Sequence, residues 1–426
     1  MSEPPRKNEP PVDSELPLHC ELPLHCELPV YLDNAATTPV DPRVAARMSQ
    51  VLASGAEFGN PASSSHGYGH AAAAAIETAR AQVAAAVGAD ADEVIWTSGA
   101  TESNNLAIFG VAHYYRNQGR HIITARTEHK AVLDPCAELE RRGWKVTYLA
   151  PQQGGIIDPA QLAAALRPDT VLVSLMHVNN EIGVLQDIAA MAEICAKHGN
   201  AWLHVDAAQS VGKCSVDFAG FGVHLMSLSA HKVYGPKGAG ALLVSKRGAR
   251  GHAGARNGVH LTALQLGGGQ ERGLRSGTLA THQIVGMGLA FQLAGEMLSV
   301  ESRRIADLRD CLWHGLAGIG GVLRNGAPQH VVPNLLNVSF EGVEGESLLA
   351  AVSPRIAVST GSACTSATQE ASYVLRALGR SEILSESSLR FSLGRFTVQR
   401  DVDAAIAVLG EAVPRLRRIA CAGASA

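Results

Sequence analysis

The chain has 426 residues, of which 46% are hydrophobic and 18% are charged, and its formal net charge is −3. This composition is typical of a folded globular protein and excludes a collagen-like, coiled-coil or wholly disordered chain. The near balance of 36 basic and 39 acidic residues gives no electrostatic signal for nucleic-acid binding. No run approaches the ~20 consecutive apolar residues of a membrane-spanning helix. We therefore expect neither a nucleic-acid nor a membrane partner.

The first thirty residues contain an internal repeat, ELPLHC at 15–20 and again at 21–26. Proline every six residues forbids a continuous helix, so we predict a poorly ordered tail over 1–30. Its His-Cys pairs match no standard zinc spacing; metal binding there is the minor alternative, and we expect no metal site. The tail lacks the pattern of a secretory signal and the cysteines form no CxxC pair, so we expect a reducing, cytoplasmic compartment.

From Tyr31 onward, short β-branched runs alternate with longer amphipathic stretches. The predicted strands are 93–97, 121–125, 145–150, 170–176, 202–207, 225–230 and 240–245, and the predicted helices are 70–87, 104–118, 131–142, 159–166 and 186–198. This alternation predicts an α/β domain over 31–290 with a mainly parallel sheet. A long helical stretch, 284–316, leads into a smaller α+β domain over 291–426, with strand candidates near 335–340 and 355–359.

Two polar residues follow buried strands between positions 204 and 241. Asp206 ends an apolar strand, at the edge where open α/β sheets bind ligands, and Lys232 lies between another apolar strand and a glycine-rich turn. A lysine can bond covalently to an aldehyde cofactor, and an aspartate behind it can keep a pyridinium nitrogen protonated, as pyridoxal 5'-phosphate (PLP) requires. Taken singly, Lys232 is better explained as a surface loop residue and Asp206 as a helix cap.

Two further motifs would complete such a site. SGATESNN (98–105) follows a strand and begins a helix, so its N–H groups and the Thr101 hydroxyl are suited to a phosphate. TEH (127–129) would place the His129 imidazole over a ring. An ordinary helix cap and a structural histidine are the alternative interpretations. The joint occurrence of these motifs with Asp206 and Lys232 favours the cofactor site.

A family resemblance rests on motifs spread along the chain. They are LDNAATTP (32–39), FGNP (58–61), SGATESNN, TEHKAVL (127–133), HVNNEIG (177–183), HVDAAQS (204–210), AHKVYGPKG (230–238), GGGQERGLRSGT (267–278), STGSACTS (359–366) and SSLRFSLGR (387–395). Over about 31–415 the chain resembles the PLP-dependent cysteine desulfurases of the NifS/IscS type. The resemblance implies PLP fold type I, a homodimer, and conversion of L-cysteine to L-alanine. It also implies a protein partner, either a sulfur acceptor or an iron–sulfur scaffold.

The same resemblance implies roles for individual residues. Lys232 would bond to PLP, Asp206 would pair with the pyridine nitrogen, and His129 would stack on the ring and assist proton transfer. The other implied cofactor contacts are Asn180 and Gln209 near the phenolic oxygen, Ala100, Thr101, Ser229 and His231 at the phosphate, and Thr278 at the phosphate of the other subunit. Asn34 and Arg390 are implied for the substrate, since a guanidinium fork suits its carboxylate.

Cys364 is the residue that distinguishes this chemistry from its relatives. It lies among small and hydroxyl residues typical of an exposed loop, and the resemblance implies that its thiolate takes the sulfur as a persulfide. A selenocysteine lyase or another class V PLP enzyme is the alternative, and a non-catalytic PLP-binding relay protein is less favoured. The chain departs from the family at Ala208 and Ala230, where Thr and Gly are common, and 248–266 looks longer than the usual connection.

Overall fold

The computed structural model describes residues 28–53, 55–246, 258–360 and 371–423. Most of the predicted tail, part of the long 248–266 connection, and Cys364 lie outside the described residues. The predictions made for those segments are therefore not addressed by the structure.

Strands and helices alternate through most of the described chain. The strands are β1 (Val30–Tyr31), β2 (Val94–Thr97), β3 (His121–Ala125), β4 (Lys145–Leu149), β5 (Thr170–Met176), β6 (Trp202–Asp206), β7 (Leu225–Ser229), β8 (Gly240–Val244), β9 (Val322–Asn325), β10 (Leu335–Phe340), β11 (Ile356–Ala357) and β12 (Ser388–Ser392). The α-helices are α1 (Pro42–Ala53), α2 (Gly67–Ala86), α3 (Ala100–Tyr115), α4 (Lys130–Arg141), α5 (Pro159–Ala165), α6 (Ile188–His198), α7 (Phe218–Phe221), α8 (Thr281–Ala317), α9 (Gly345–Val352), α10 (Tyr373–Ala377), α11 (Glu382–Glu386) and α12 (Gln399–Gly423).

Seven strands form one central sheet in the order β2-β8-β7-β6-β5-β3-β4. Neighbours from β7 through β4 pair in parallel, whereas β8 is antiparallel to both β7 and β2. The strand β8 is reversed because a short turn, rather than a crossover helix, connects it to β7. Strands that are buried on both faces explain the continuous apolar runs in the sequence. The predicted α/β class with a mainly parallel sheet is confirmed.

Helix α3 begins four residues earlier than the apolar periodicity predicts, at Ala100 instead of 104. Its first turn is polar and is held by Glu102, whose carboxylate accepts the Ser98 N–H at 2.7 Å and pairs with Arg275 at 2.8 Å. The spacing of apolar residues predicts only the part of a helix that packs on the core. The first turn of α3 therefore lies beyond that signal.

A second, smaller sheet in the order β12-β10-β9 is antiparallel. Helix α8 joins its core to that of the central sheet, because Met287 and Phe291 pack in the larger core and Leu312 and Leu316 in the smaller one. By length and composition alone α8 could also cross a membrane. Its packing on α1, α2 and α12 is instead that of a core helix. The predicted domain boundary at 290/291 falls inside α8 and stays a prediction.

A buried cluster around Arg395 fastens the C-terminal part of the chain to the central sheet. The guanidinium pairs with Asp41 at 2.7 Å and Glu301 at 2.6 Å, and it lies 4.2 Å from the ring centroid of Tyr234. The Arg395 side chain is only 6% exposed. Arg43, which is more exposed, also pairs with Asp41 and lowers the pKa of that carboxyl.

We predict that Arg395→Met lowers the free energy of unfolding by about 3–5 kcal/mol, because Glu301 keeps a buried charge without its cation. Urea unfolding at fixed protein and cofactor concentrations measures the change. Arg355→Met is the matched control, since its pair with Glu411 is exposed and such pairs contribute about 0–1 kcal/mol. Equal effects of the two substitutions would contradict a stabilising role for the buried cluster.

Candidate active site

A cleft of about 390 Å³ opens where β5, β6 and β7 end, opposite the N-terminus of α3. This is the edge at which parallel sheets bind ligands. Of the residues predicted for the site, Ala100, Thr101, His129, Asn180, Asp206, Gln209, Ser229, His231 and Lys232 line the cleft. The structure thus brings together residues that are separated by as much as 132 positions in sequence.

Asp206, the last residue of β6, is buried against the back of the cleft. One carboxylate oxygen accepts a hydrogen bond from Asn104 Nδ2 at 2.7 Å, and the other accepts the Ala208 N–H at 3.0 Å. These two donors fix the direction of the carboxylate. No role had been predicted for Asn104, although its position inside SGATESNN, on the first turns of the helix, was a signal that could have identified it.

The N-terminus of α3 provides the opposite wall of the cleft. Its first N–H groups have no carbonyl partner within the helix, and they carry the positive end of the helix dipole. Gly99 precedes the helix and approaches β8 so closely that a Cβ on Gly240 would lie 2.5 Å from the Gly99 Cα. Nearby, the Ser229 hydroxyl is buried and has no hydrogen-bond partner among the described residues. This wall is therefore suited to an anion.

His129 caps the N-terminus of α4 and faces the same cleft. Its Nδ1 accepts the Ala131 N–H at 3.0 Å, so a neutral ring carries its proton on Nε2. Burial lowers the pKa of His129, which favours that neutral form. Glu128, next in sequence, accepts the Met176 N–H at 2.9 Å and holds this turn against the end of β5. Burial raises the pKa of the Glu128 carboxyl well above its ordinary value.

The turn that carries Lys232 is held by a segment near the start of the described chain. Thr38 accepts the Tyr234 N–H at 2.8 Å through its hydroxyl, and the Thr38 N–H donates to the His231 carbonyl at 2.8 Å. Tyr234 has φ of +63°, an unusual conformation for a residue with a side chain. Burial lowers the pKa of His231 to about 4, so its ring is neutral. No role had been predicted for Thr38, although it belongs to the LDNAATTP motif.

Four predicted residues lie outside the cleft or outside the described residues. Arg390 is buried in β12, where it donates to the Asn180 carbonyl at 2.9 Å and to Asp33 at 2.7 Å. Asn34 lines a small adjoining cavity that Lys232 also lines. Thr278 is exposed and lines a separate surface pocket beside Phe58. The fourth, Cys364, is not described.

Lys213 is a buried amine that sequence reasoning missed. It is 9% exposed, and its Nζ donates to Gln209 Oε1 at 2.7 Å. Burial, reinforced by the positive charge of Lys232, lowers the pKa of Lys213 to about 7. Its spacing of four residues from Gln209 is a weak signal, because such spacing is common. Among the described residues, no group of three or more His, Cys, Asp or Glu side chains is arranged to hold a metal ion.

Most of the chain is similar in sequence and fold to known proteins. The aminotransferase class-V family model matches residues 30–405. A cysteine desulfurase IscS from Escherichia coli O139:H28 (strain E24377A / ETEC) is 55% identical over 387 residues, which cover 91% of this chain and 93% of the relative. A solved NifS-like protein has a TM-score of 0.83 at 34% identity and covers 91% of this chain and 100% of its own. SspA in complex with cysteine has a TM-score of 0.74 at 36% identity, covering 86% and 99%.

We predict that the wild type gains stability relative to Lys213→Met as the pH rises from 7 to 9. Over this range the unfolded lysine, with a pKa of 10.5, stays protonated, whereas the folded lysine loses its proton near pH 7. The unfolded state then binds more protons, so the free energy of unfolding rises with pH. The gain is on the order of 1 kcal/mol per pH unit. Urea unfolding of the cofactor-free proteins at each pH measures it, and a difference independent of pH would contradict it.

Proposed function

This chain belongs to the class-V aminotransferase family, and we propose on that premise that it is a PLP-dependent cysteine desulfurase. The reaction converts L-cysteine to L-alanine and leaves the sulfur as a persulfide on an enzyme cysteine, from which it is supplied for iron–sulfur cluster assembly or thiolation. The observation that carries the proposal is the convergence of Lys232, Asp206 and His129 on one cleft, in a chain that is 55% identical to a cysteine desulfurase.

The residues of the cleft match the chemical groups of PLP. The unpartnered Ser229 hydroxyl and the N-terminus of α3 suit the phosphate, Asp206 suits the ring nitrogen, and Lys232 suits the aldehyde. When bound, PLP supplies an electron sink for the negative charge that develops at the substrate Cα. This correspondence supports the roles proposed for the individual residues.

Asp206 keeps a proton on the ring nitrogen by opposing it with a negative charge. Asn104 and the Ala208 N–H hydrogen-bond that carboxylate and hold it in direction without neutralising it. Lys232, which would hold PLP through its aldehyde, would also hold and move the proton of the substrate Cα. His129, neutral and with its proton on Nε2, can donate a hydrogen bond on the cleft side without adding a positive charge beside Lys232.

Arg390 is proposed to bind the substrate carboxylate. It shares Asn180 with the cleft, because it donates to the Asn180 carbonyl while the side chain of Asn180 lines the cleft. Two of its five N–H donors are used by Asn180 and Asp33, and the buried Nε has no partner among the described residues. A guanidinium that keeps unused donors and contacts a residue of the cleft suits a bidentate anion.

Cys364 is proposed as the persulfide cysteine, on the support of its motif and of the family. We predict that Cys364→Ala binds PLP as the wild type does, because cofactor binding uses no thiol, yet forms alanine from L-cysteine at least about 100-fold more slowly. Alanine and protein-bound persulfide are measured with PLP occupancy in the same sample. Near-wild-type turnover would remove Cys364 from the reaction.

The control is Lys232→Ala, which should lose the borohydride-reducible link to PLP. Peptide mapping of the reduced wild type should find the pyridoxyl group on Lys232; finding it on another lysine would overturn the site itself. Comparing L-cysteine with selenocysteine on the wild type and on Cys364→Ala tests the alternative of a selenocysteine lyase. Turnover of selenocysteine alone would favour that alternative.

A homodimer with shared sites is also proposed. Thr278 is exposed beside the exposed apolar side chains of Phe58 and Leu52, which are 63% and 59% exposed, and it lies away from the cleft of its own chain. A surface with such apolar side chains is suited to burial against a second copy. We further propose a sulfur-acceptor or iron–sulfur scaffold partner, and a cytoplasmic location, which the free thiols of the five described cysteines support.

We predict that a Lys232→Ala subunit and a Thr278→Ala subunit restore activity when mixed at limiting PLP. Their heterodimer contains one site with both residues and one site with neither, so up to half of the heterodimer sites are intact. The control mixes Thr278→Ala with a Lys232→Ala, Thr278→Ala double variant, which leaves no intact site. Equal activity in both mixtures, or full activity in a strictly monomeric sample, would contradict shared sites.

A further inference from the structure

Lys213 lies behind the cleft, in a place where a lysine is unusual. Its amine is buried, and among the described residues no carboxylate lies within ion-pair distance of it. A buried cation without an anion destabilises a fold, so packing alone gives no reason for a lysine at this position. The hydrogen bond at 2.7 Å to Gln209 Oε1 is the contact that distinguishes Lys213 from an apolar side chain of similar length.

The side-chain amide of Gln209 contacts a hydrogen-bond donor at its oxygen and an acceptor at its nitrogen. Lys213 donates to its oxygen, and the Ala35 carbonyl accepts from its Nε2 at 2.8 Å. A flipped amide would set its oxygen against the Ala35 carbonyl, which has only acceptors, and would lose the hydrogen bond that the Lys213 amine donates to that oxygen. The pair therefore selects one orientation, in which the oxygen is occupied behind the cleft and one N–H of Nε2 remains unused.

Lys213 and the cleft are adjacent without being continuous. Gln209 lines the cleft, whereas Lys213 lines the adjoining cavity of about 10 Å³, and Lys232 lines both. Gly212 brings Lys213 to this position with φ of +72°, and a Cβ on Gly212 would lie 3.1 Å from Val233. Gln209 and Lys232 are therefore the residues that connect Lys213 to a group bound in the cleft.

We propose that Lys213 is a positioning residue of the cofactor site, which holds the Gln209 amide so that its NH₂ group serves the cleft. A donor in that position suits the anionic phenolic oxygen of PLP, the oxygen beside which Gln209 is proposed to lie. The inference rests on the proposed binding of PLP and adds a residue that does not touch the cofactor.

A double-mutant cycle on Lys213 and Gln209 tests the proposal. Lys213→Met removes the donor, keeps the length of the side chain, and replaces an unpaired buried cation by an apolar group, so the variant is expected to fold. The PLP dissociation constant and the visible absorption maximum of bound PLP are measured for wild type, Lys213→Met, Gln209→Ala and the double variant. We expect the Lys213→Met substitution to raise the PLP dissociation constant about tenfold when Gln209 is present. In the Gln209→Ala background the same substitution should raise it less than about twofold. Both single variants should shift the absorption maximum in the same direction, with no further shift in the double variant.

Three comparisons make the result decisive. Lys213→Arg keeps a hydrogen-bond donor and should have the absorption maximum of the wild type. Lys197→Met removes an exposed lysine on α6 and should change neither the PLP dissociation constant nor the absorption maximum. Equal weakening by Lys213→Met in both backgrounds, or an unchanged absorption maximum, would overturn the positioning role. Failure of the wild type to bind PLP on Lys232 would instead overturn the proposed function, so the two failures are distinguishable.

Discussion

The parallel register of β5, β6 and β7 is the constraint on which the cleft depends. Met176 pairs with Asp206 and Asp206 with Ser227, so the strands end side by side and Ser229 follows two residues later on the same face. A slip of one residue in any strand would turn these side chains to the opposite face of the sheet. The residues proposed to bind the cofactor therefore lie together because the backbones of β5, β6 and β7 pair in this register.

The same strand pairing places polar side chains of β5, β6 and β7 next to one another in the interior, near the cleft. His204 lies two residues before Asp206 and bridges neighbouring strands through hydrogen bonds to Ser174 at 2.8 Å and Ser227 at 2.9 Å. Burial lowers the pKa of His204 to about 4, so the bridge is uncharged. Together with neutral His129 and His231, it places three uncharged rings near the Asp206 carboxylate and the Lys232 amine. Opposite charges act strongly on each other under such conditions.

Much of the fold and the cleft could be predicted from the sequence, for reasons that differ by residue. The strands of the central sheet were found because doubly buried strands are continuous apolar runs, and Asp206 and Lys232 because they follow such runs directly. Asn104 and Thr38 were not assigned roles because each acts on a distant segment, at Asp206 and at the Lys232 turn. Lys213 was missed because its spacing of four residues from Gln209 is common in proteins. The roles of Arg390 and Thr278 rest on the family resemblance. Arg390 contacts the cleft only through the backbone carbonyl of Asn180, and Thr278 lies outside the cleft.

The clamp on the Lys232 turn has a consequence for the order in which the protein becomes competent during synthesis. Residues 34–41 are synthesised early. However, Asn34 donates a hydrogen bond to the carbonyl of Ser392, which is 358 positions later, and Asp41 forms an ion pair with Arg395. Contacts of such separation close very long loops and form late. A nascent or truncated chain that lacks its last ~40 residues can assemble the central sheet by local crossovers, but the segment that holds the lysine turn lacks its contacts with Ser392 and Arg395. Full support of the lysine turn is in this way coupled to completion of the chain, because two of its long-range contacts need the last residues to be made.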